Sequence, residues 1–171
     1  YLGISPKKYA IYQQCLFAKQ LLHQTTLRIT DIAYASGFNS VRRFNEAMQQ
    51  QIGLTPGKIR KSDQLVSGSL TLKLYYRPPY AWKEMLSFLQ NRTIEGLEWA
   101  DESSYSRTIE YKTTQGYFSA TANPEQHCFD VTLYLNEYQN LNPIIQHIRA
   151  IFDLDASIDR IDQQLQTEVG D

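Results

Sequence analysis

The chain has 171 residues, 42% of them hydrophobic and 20% charged, with a formal net charge of −1. That describes globular protein with length for one or two domains. No apolar run reaches the roughly 20 residues of a membrane span, and no basic, apolar, small-residue leader opens the chain, so no membrane partner is expected. Cys15 and Cys128 stand far apart without a C-x-x-C partner, which fits reduced, intracellular thiols better than a disulfide framework. The near-neutral total conceals a division. Residues 1–62 carry nine Lys and Arg against Asp31 and Glu46, net +7, and residues 63–171 carry net −8. Such a division predicts two domains, the first meeting a polyanion. The start on Tyr1 reads as a piece of a longer protein.

In the basic part, Ser5 is expected to cap a helix that begins at Pro6, with Tyr9, Tyr12, Leu16, Lys19 and Leu22 along one stripe. Thr30 and Asp31 open a short second helix, and Gly37 ends it in a left-handed turn. Phe38 then serves as a plug, and Ser40 caps a third helix. At about 100° per residue, Val41, Phe44, Met48 and Ile52 fall on the inner side, whereas Arg42, Arg43, Glu46 and Gln50 fall outside. Gly53 stops this helix, and Thr55 and Pro56 begin one further short turn. Two short helices across a tight glycine turn make a helix-turn-helix, whose second helix enters the DNA major groove.

That placement assigns roles. Arg42 is matched to a base edge, because its fork fits O6 and N7 of guanine, and Arg43 to a phosphate. Glu46 has two readings of equal weight, as an acceptor for a cytosine amino group or as the i, i+4 partner of Arg42. Lys58, Arg60 and Lys61 are expected to clamp the DNA backbone. With Asn39 and Ser40 at the helix entry, the candidate contacts are Asn39, Ser40, Arg42, Arg43, Glu46, Lys58, Arg60 and Lys61.

The stretch "ITDIAYASGFNSVRRFNEAMQQQIGLTPGKIRK" closely resembles the second helix-turn-helix of the AraC/XylS-type transcription regulators. The shared frame is I-x-x-I-A-x-x-x-G-F, S-x-x-x-F and G-x-T-P, with an Arg following. The resemblance implies base-facing positions at Val41, Arg42 and Glu46, double-stranded DNA as partner, and RNA polymerase as a second partner. "SVRRFN" is particularly similar to regulators of the adaptive response to DNA alkylation. "LGISPKKY" resembles the tail of that family's first helix-turn-helix, which implies a truncated first reading head.

A linker is read at residues 63–69, within "KSDQLVSGSL". Beyond it "LTLKLYYRPPY" alternates as a strand, with Leu70, Leu72, Leu74 and Tyr76 on the buried side. Trp82, Met85, Leu86 and Leu89 recur as a helix, and strands follow at about 97–101, 105–112, 116–122 and 127–135. Pro143 starts a helix with Ile144, Ile145, Ile148 and Phe152 inside, and "DLDAS" leads into another. This order predicts an antiparallel sheet backed by helices, so α+β overall behind an all-α helix-turn-helix module. "YYRPPYAW", "MLSFLQNRTIEGLE", "YSRTI" and "IRAIFDLDASID" together resemble the N-terminal domain of 3-methyladenine DNA glycosylase II, whose fold is TATA-binding-protein-like. The expected domains are therefore 1–62, the 63–69 linker, 70–165, and a 166–171 tail leading to a catalytic domain outside the chain.

Catalysis finds no purchase in these residues. The glycosylase resemblance would require a helix-hairpin-helix with its glycine-rich hairpin and a downstream aspartate, and no residue here matches them. Asp153, Asp155, Asp159 and Asp162 read as helix caps. His23, His127 and His147 lack metal-ligand spacing, so neither metal nor cofactor is expected. Tyr75, Tyr76, Tyr80 and Trp82 read as core rather than as a stacking platform for bases. The function expected is a sequence-specific DNA-binding regulator fused to a repair glycosylase's front domain, cytoplasmic and nucleoid-associated, and itself inactive. The alternatives are a 3-methyladenine glycosylase whose catalytic domain lies outside the chain, and a purely regulatory protein.

Overall fold

The computed structural model describes residues 5–60 and 69–158, together with 161, 164, 166 and 167. The linker expected at 63–69 lies outside the described residues except for Ser69, as do Lys61, Asp159, Asp162 and most of the tail. Among the described residues no helix is long and apolar enough to cross a membrane.

Four helices come first: α1 (Pro6–Gln24), α2 (Ile29–Ala35), α3 (Val41–Ile52) and α4 (Pro56–Ile59). Ser5 caps α1, its hydroxyl accepting from the Lys8 amide, with Pro6 at the first position. The buried face of α1 departs from the expected stripe. Cys15, Ala18, Leu21 and Leu22 are buried, whereas Tyr9, Tyr12, Leu16 and Lys19 are exposed. α2, α3 and α4 all pack on α1, and the side they meet carries those buried residues. α2 also starts earlier than expected, at Ile29. Asp31 in its first turn accepts from the Arg28 side chain at 2.9 and 3.2 Å, an acid placed where the helix dipole favours it.

The second part runs β1 (Leu70–Tyr75), α5 (Trp82–Gln90), β2 (Glu98–Ala100), β3 (Ser104–Tyr111), β4 (Thr114–Asn123), a 3-10 turn (Pro124–Gln126), β5 (Cys128–Leu135) and α6 (Leu141–Ile151). The strands form one sheet in the order β1-β5-β4-β3-β2, every neighbouring pair antiparallel. The mixed α+β architecture expected from the sequence is therefore present. α6 begins two residues before Pro143, which sits in the first turn, where amides lack intrahelical partners anyway.

Period-two alternation sends Leu70, Leu72 and Leu74 of β1, Phe118 and Ala120 of β4, and Phe129, Val131 and Leu133 of β5 to one buried face. On that face Phe129 stacks on Phe152 at 5.0 Å, and Trp82 meets Phe129 edge-on at 4.9 Å. The Tyr80 hydroxyl donates to the Phe152 carbonyl at 2.6 Å, and burial raises its pKa. Tyr76, Tyr80 and Trp82 are thus core, while Tyr75 is exposed. The opposite face carries cross-strand pairs: Thr71 with Thr132, Lys73 with Asp130 at 2.7 Å, and Tyr117 stacked on Tyr134 at 4.5 Å. Asp155 pairs with Arg149 (Nε to Oδ1, 3.2 Å) instead of capping a helix, and Arg149 also donates to the Tyr75 carbonyl.

The two parts touch along the free edge of β1. The Lys73 amide donates to Gln24 Oε1 at 3.0 Å, and Gln20 Nε2 donates to the Lys73 carbonyl at 3.3 Å. Two side-chain amides one helical turn apart thus take the hydrogen bonds that a further strand would otherwise make.

Candidate nucleic-acid interface

The turn between α2 and α3 is built by backbone bonds that the sequence dictates. The Phe38 amide donates to the Ala33 carbonyl at 3.0 Å and the Gly37 amide to the Tyr34 carbonyl at 2.9 Å. This is the crossed pair of a Schellman motif, and it requires a left-handed residue at the position Gly37 occupies, where φ is +84°. Gln14 of α1 donates to the Gly37 carbonyl at 3.2 Å and ties the turn to the long helix. Phe38 is buried and its ring lies 5.3 Å from that of Phe44. Ser40 then caps α3, accepting from the Arg43 amide at 3.3 Å.

Packing of Phe44 and Met48, both fully buried, fixes which side of α3 faces outward. Arg42, Arg43, Asn45, Glu46, Gln49 and Gln50 are exposed on it. The Arg42 side chain is 88% exposed, and its Nε donates to Glu46 Oε1 at 2.9 Å. That hydrogen bond, and then the Glu46 charge, raises the Arg42 pKa. Of the two readings of Glu46, the i, i+4 partner is the one made here. Asn39 is exposed beside the helix entry, and Ser40 is half-buried with its hydroxyl engaged in the cap.

The third basic segment divides. Lys58 is exposed on α4. Arg60 is half-buried and its Nη2 donates to the Leu27 carbonyl, bracing the α1–α2 connection from within. Lys61 lies outside the described residues. Lys7 and Lys8, which escaped the sequence reading, are exposed on α1 and line the same groove as Arg43. Their signal was the absence of any acid before Asp31. Asn45 also escaped it, although the angular count places it at the rim of the outer face.

The sheet part carries a polar cluster that joins β2 to β3. The Tyr105 hydroxyl donates to Glu98 Oε1 at 2.9 Å, and Arg107 stands 3.3 Å from the same oxygen. Burial, then the bond to Glu98, pushes the Tyr105 pKa up to about 12. The cluster joins adjacent strands. Among the described residues no group of three or more His, Cys, Asp or Glu is placed to hold a metal ion.

Comparison with known proteins gives two family matches on successive stretches of the chain. The model of a family described as the AlkA N-terminal domain matches residues 71–170, more than half of the chain. A model described as a helix-turn-helix domain matches residues 1–62. A protein of Mycobacterium tuberculosis named "Probable bifunctional transcriptional activator/DNA repair enzyme AlkA" is 28% identical over 172 aligned positions, covering 96% of this chain and 34% of that protein. The HTH-type transcriptional regulator ExsA of Pseudomonas aeruginosa is 34% identical over 59 residues, 34% of this chain and 21% of its own length. The HTH-type transcriptional regulator GlxA of Rhizobium meliloti is 43% identical over 44 residues, covering 26% of this chain and 14% of the regulator. The chain spans about a third of the length of that Mycobacterium tuberculosis protein.

Proposed function

Because the chain belongs to the AlkA N-terminal domain family and carries a helix-turn-helix domain ahead of it, we propose that it is the DNA-reading end of a transcription regulator fused to a DNA alkylation-repair enzyme. The observation that carries this reading is the outward-facing first turn of α3, seated by the Gly37 turn and the Phe38–Phe44 contact. Arg42 reads a base edge once duplex DNA competes for its pair with Glu46. Arg43 and Lys58 hold phosphates. Arg60, turned inward to Leu27, supports the fold rather than the duplex. RNA polymerase is the expected second partner, and the cytoplasm the expected place of action.

The test is a bound-site selection with this chain, followed by anisotropy titrations on the selected duplex and on random duplex. Arg42→Ala is expected to cost about 1–3 kcal/mol on the selected duplex and little on random DNA. Equal losses on both would reduce Arg42 to a phosphate contact. The enzyme reading is tested separately. Duplex containing 3-methyladenine, incubated with this chain alone, is expected to release no base, and release would assign catalysis to these residues.

A further inference from the structure

We propose that Lys7, Lys8 and Arg43 form a phosphate track, seating one sugar–phosphate strand of the duplex whose major groove receives α3. The inference rests on the DNA-reading function proposed above and extends it to α1, a helix outside the helix-turn-helix pair.

The three side chains come from two elements and line one groove of about 680 Å³ between α1 and α3, above Ile11 and Gln14. Among the described residues none of the three side chains has a hydrogen-bond or ion-pair partner. The carboxylate that reaches the groove, Glu46, is already taken by Arg42. Residues 1–30 contain no Asp or Glu, so nothing on α1 offsets the lysines. The groove is therefore positive and its charges are unspent.

Its position beside the outer face of α3 decides the ligand. At about 100° per residue, Arg42 and Glu46 form the crest of that face, and Arg43 with Gln50 forms the flank toward α1. A major groove about 12 Å wide admits the crest of a helix, so the flank meets the groove wall, which is sugar and phosphate. α1 cannot drift from this arrangement, because Gln14 is bonded to the Gly37 carbonyl and Cys15 and Ala18 are buried.

The sequence repeats the device. Gly3-Ile4-Ser5-Pro6-Lys7-Lys8 has the frame of Gly53-Leu54-Thr55-Pro56-Gly57-Lys58. Pro6 opens α1 and Pro56 opens α4, so Lys8 and Lys58 both stand at the third helical position. The same start thus presents a cation from each of two helices.

A phosphate contact reveals itself in salt dependence, not in sequence preference. The unmodified chain is titrated against labelled random-sequence duplex by anisotropy from about 50 to about 200 mM salt. Lys7→Gln with Lys8→Gln is expected to flatten the slope of log K against log salt by about 2. Over that fourfold range the unmodified chain then loses about tenfold more affinity than the double variant. The preference for a selected duplex over random DNA stays unchanged. Lys83→Gln with Lys112→Gln, on exposed positions of the sheet part, is the charge-matched control and is expected to keep the full slope. An unaltered slope in Lys7→Gln/Lys8→Gln, or equal flattening by the control, overturns the track while leaving the DNA-reading function standing. If the unmodified chain binds no duplex, the function and the track fall together.

Discussion

At the scale of single residues, Gly37 shows how one backbone angle sets a surface. Its φ of +84° costs an alanine about 1–2 kcal/mol, and an added Cβ would lie 2.7 Å from Gln14 Nε2. That atom is the end of a flexible side chain and can move, but moving it breaks the tie between the turn and α1. Gly37→Ala is expected to lower stability by roughly 1–3 kcal/mol and to weaken DNA binding, measured by denaturant unfolding and by anisotropy. This residue was legible in the sequence because only glycine adopts that turn cheaply. Arg60 was not legible. A basic residue at a helix end reads as a surface clamp, and only tertiary packing brings the Leu27 carbonyl within its reach.

At the scale of elements, periodicity spoke clearly wherever apolarity and size agreed. The inner residues of α3, α6, β1 and β5 follow their 3.6- and 2-residue repeats. α1 broke the pattern: the face that meets α2, α3 and α4 carries Cys15 and Ala18 beside Leu21 and Leu22, while Tyr9 and Tyr12 stand on the open side. The hairpin between β2 and β3 carries a pH-dependent prediction. The Asp101 carboxylate accepts from the Ser103 amide at 2.8 Å, and from the Ser104 hydroxyl and amide at 2.7 Å each. These bonds, the Ser103 amide foremost, hold its pKa at about 2, below its ordinary 3.8. A carboxyl whose folded pKa is depressed contributes stability above its unfolded pKa and loses it as pH falls through the folded value. Melting temperatures followed from about pH 5 down to about pH 2 are expected to fall more steeply for the unmodified chain than for Asp101→Ala.

For the whole molecule, the decisive contact is the one between Gln20, Gln24 and Lys73, which no sequence pattern announced because polar helix positions ordinarily face water. It docks the reading helices on the sheet through two hydrogen bonds, each worth about 0.5–1.5 kcal/mol net. Gln20→Ala with Gln24→Ala is expected to speed amide exchange at Lys73 and to leave the Phe118 amide, within the sheet, protected. Equal acceleration at both sites would indicate global loss of the fold instead. The same contact has a consequence for solubility. An edge strand with vacant amides and carbonyls is a template on which other chains zip up into fibrils. At Lys73 that template is covered by glutamine side chains, and the opposite margin, β2, is only three residues long. A chain whose α1 swung away would uncover a sticky ribbon beginning at Leu70, so the helix that positions the arginines also guards against self-association.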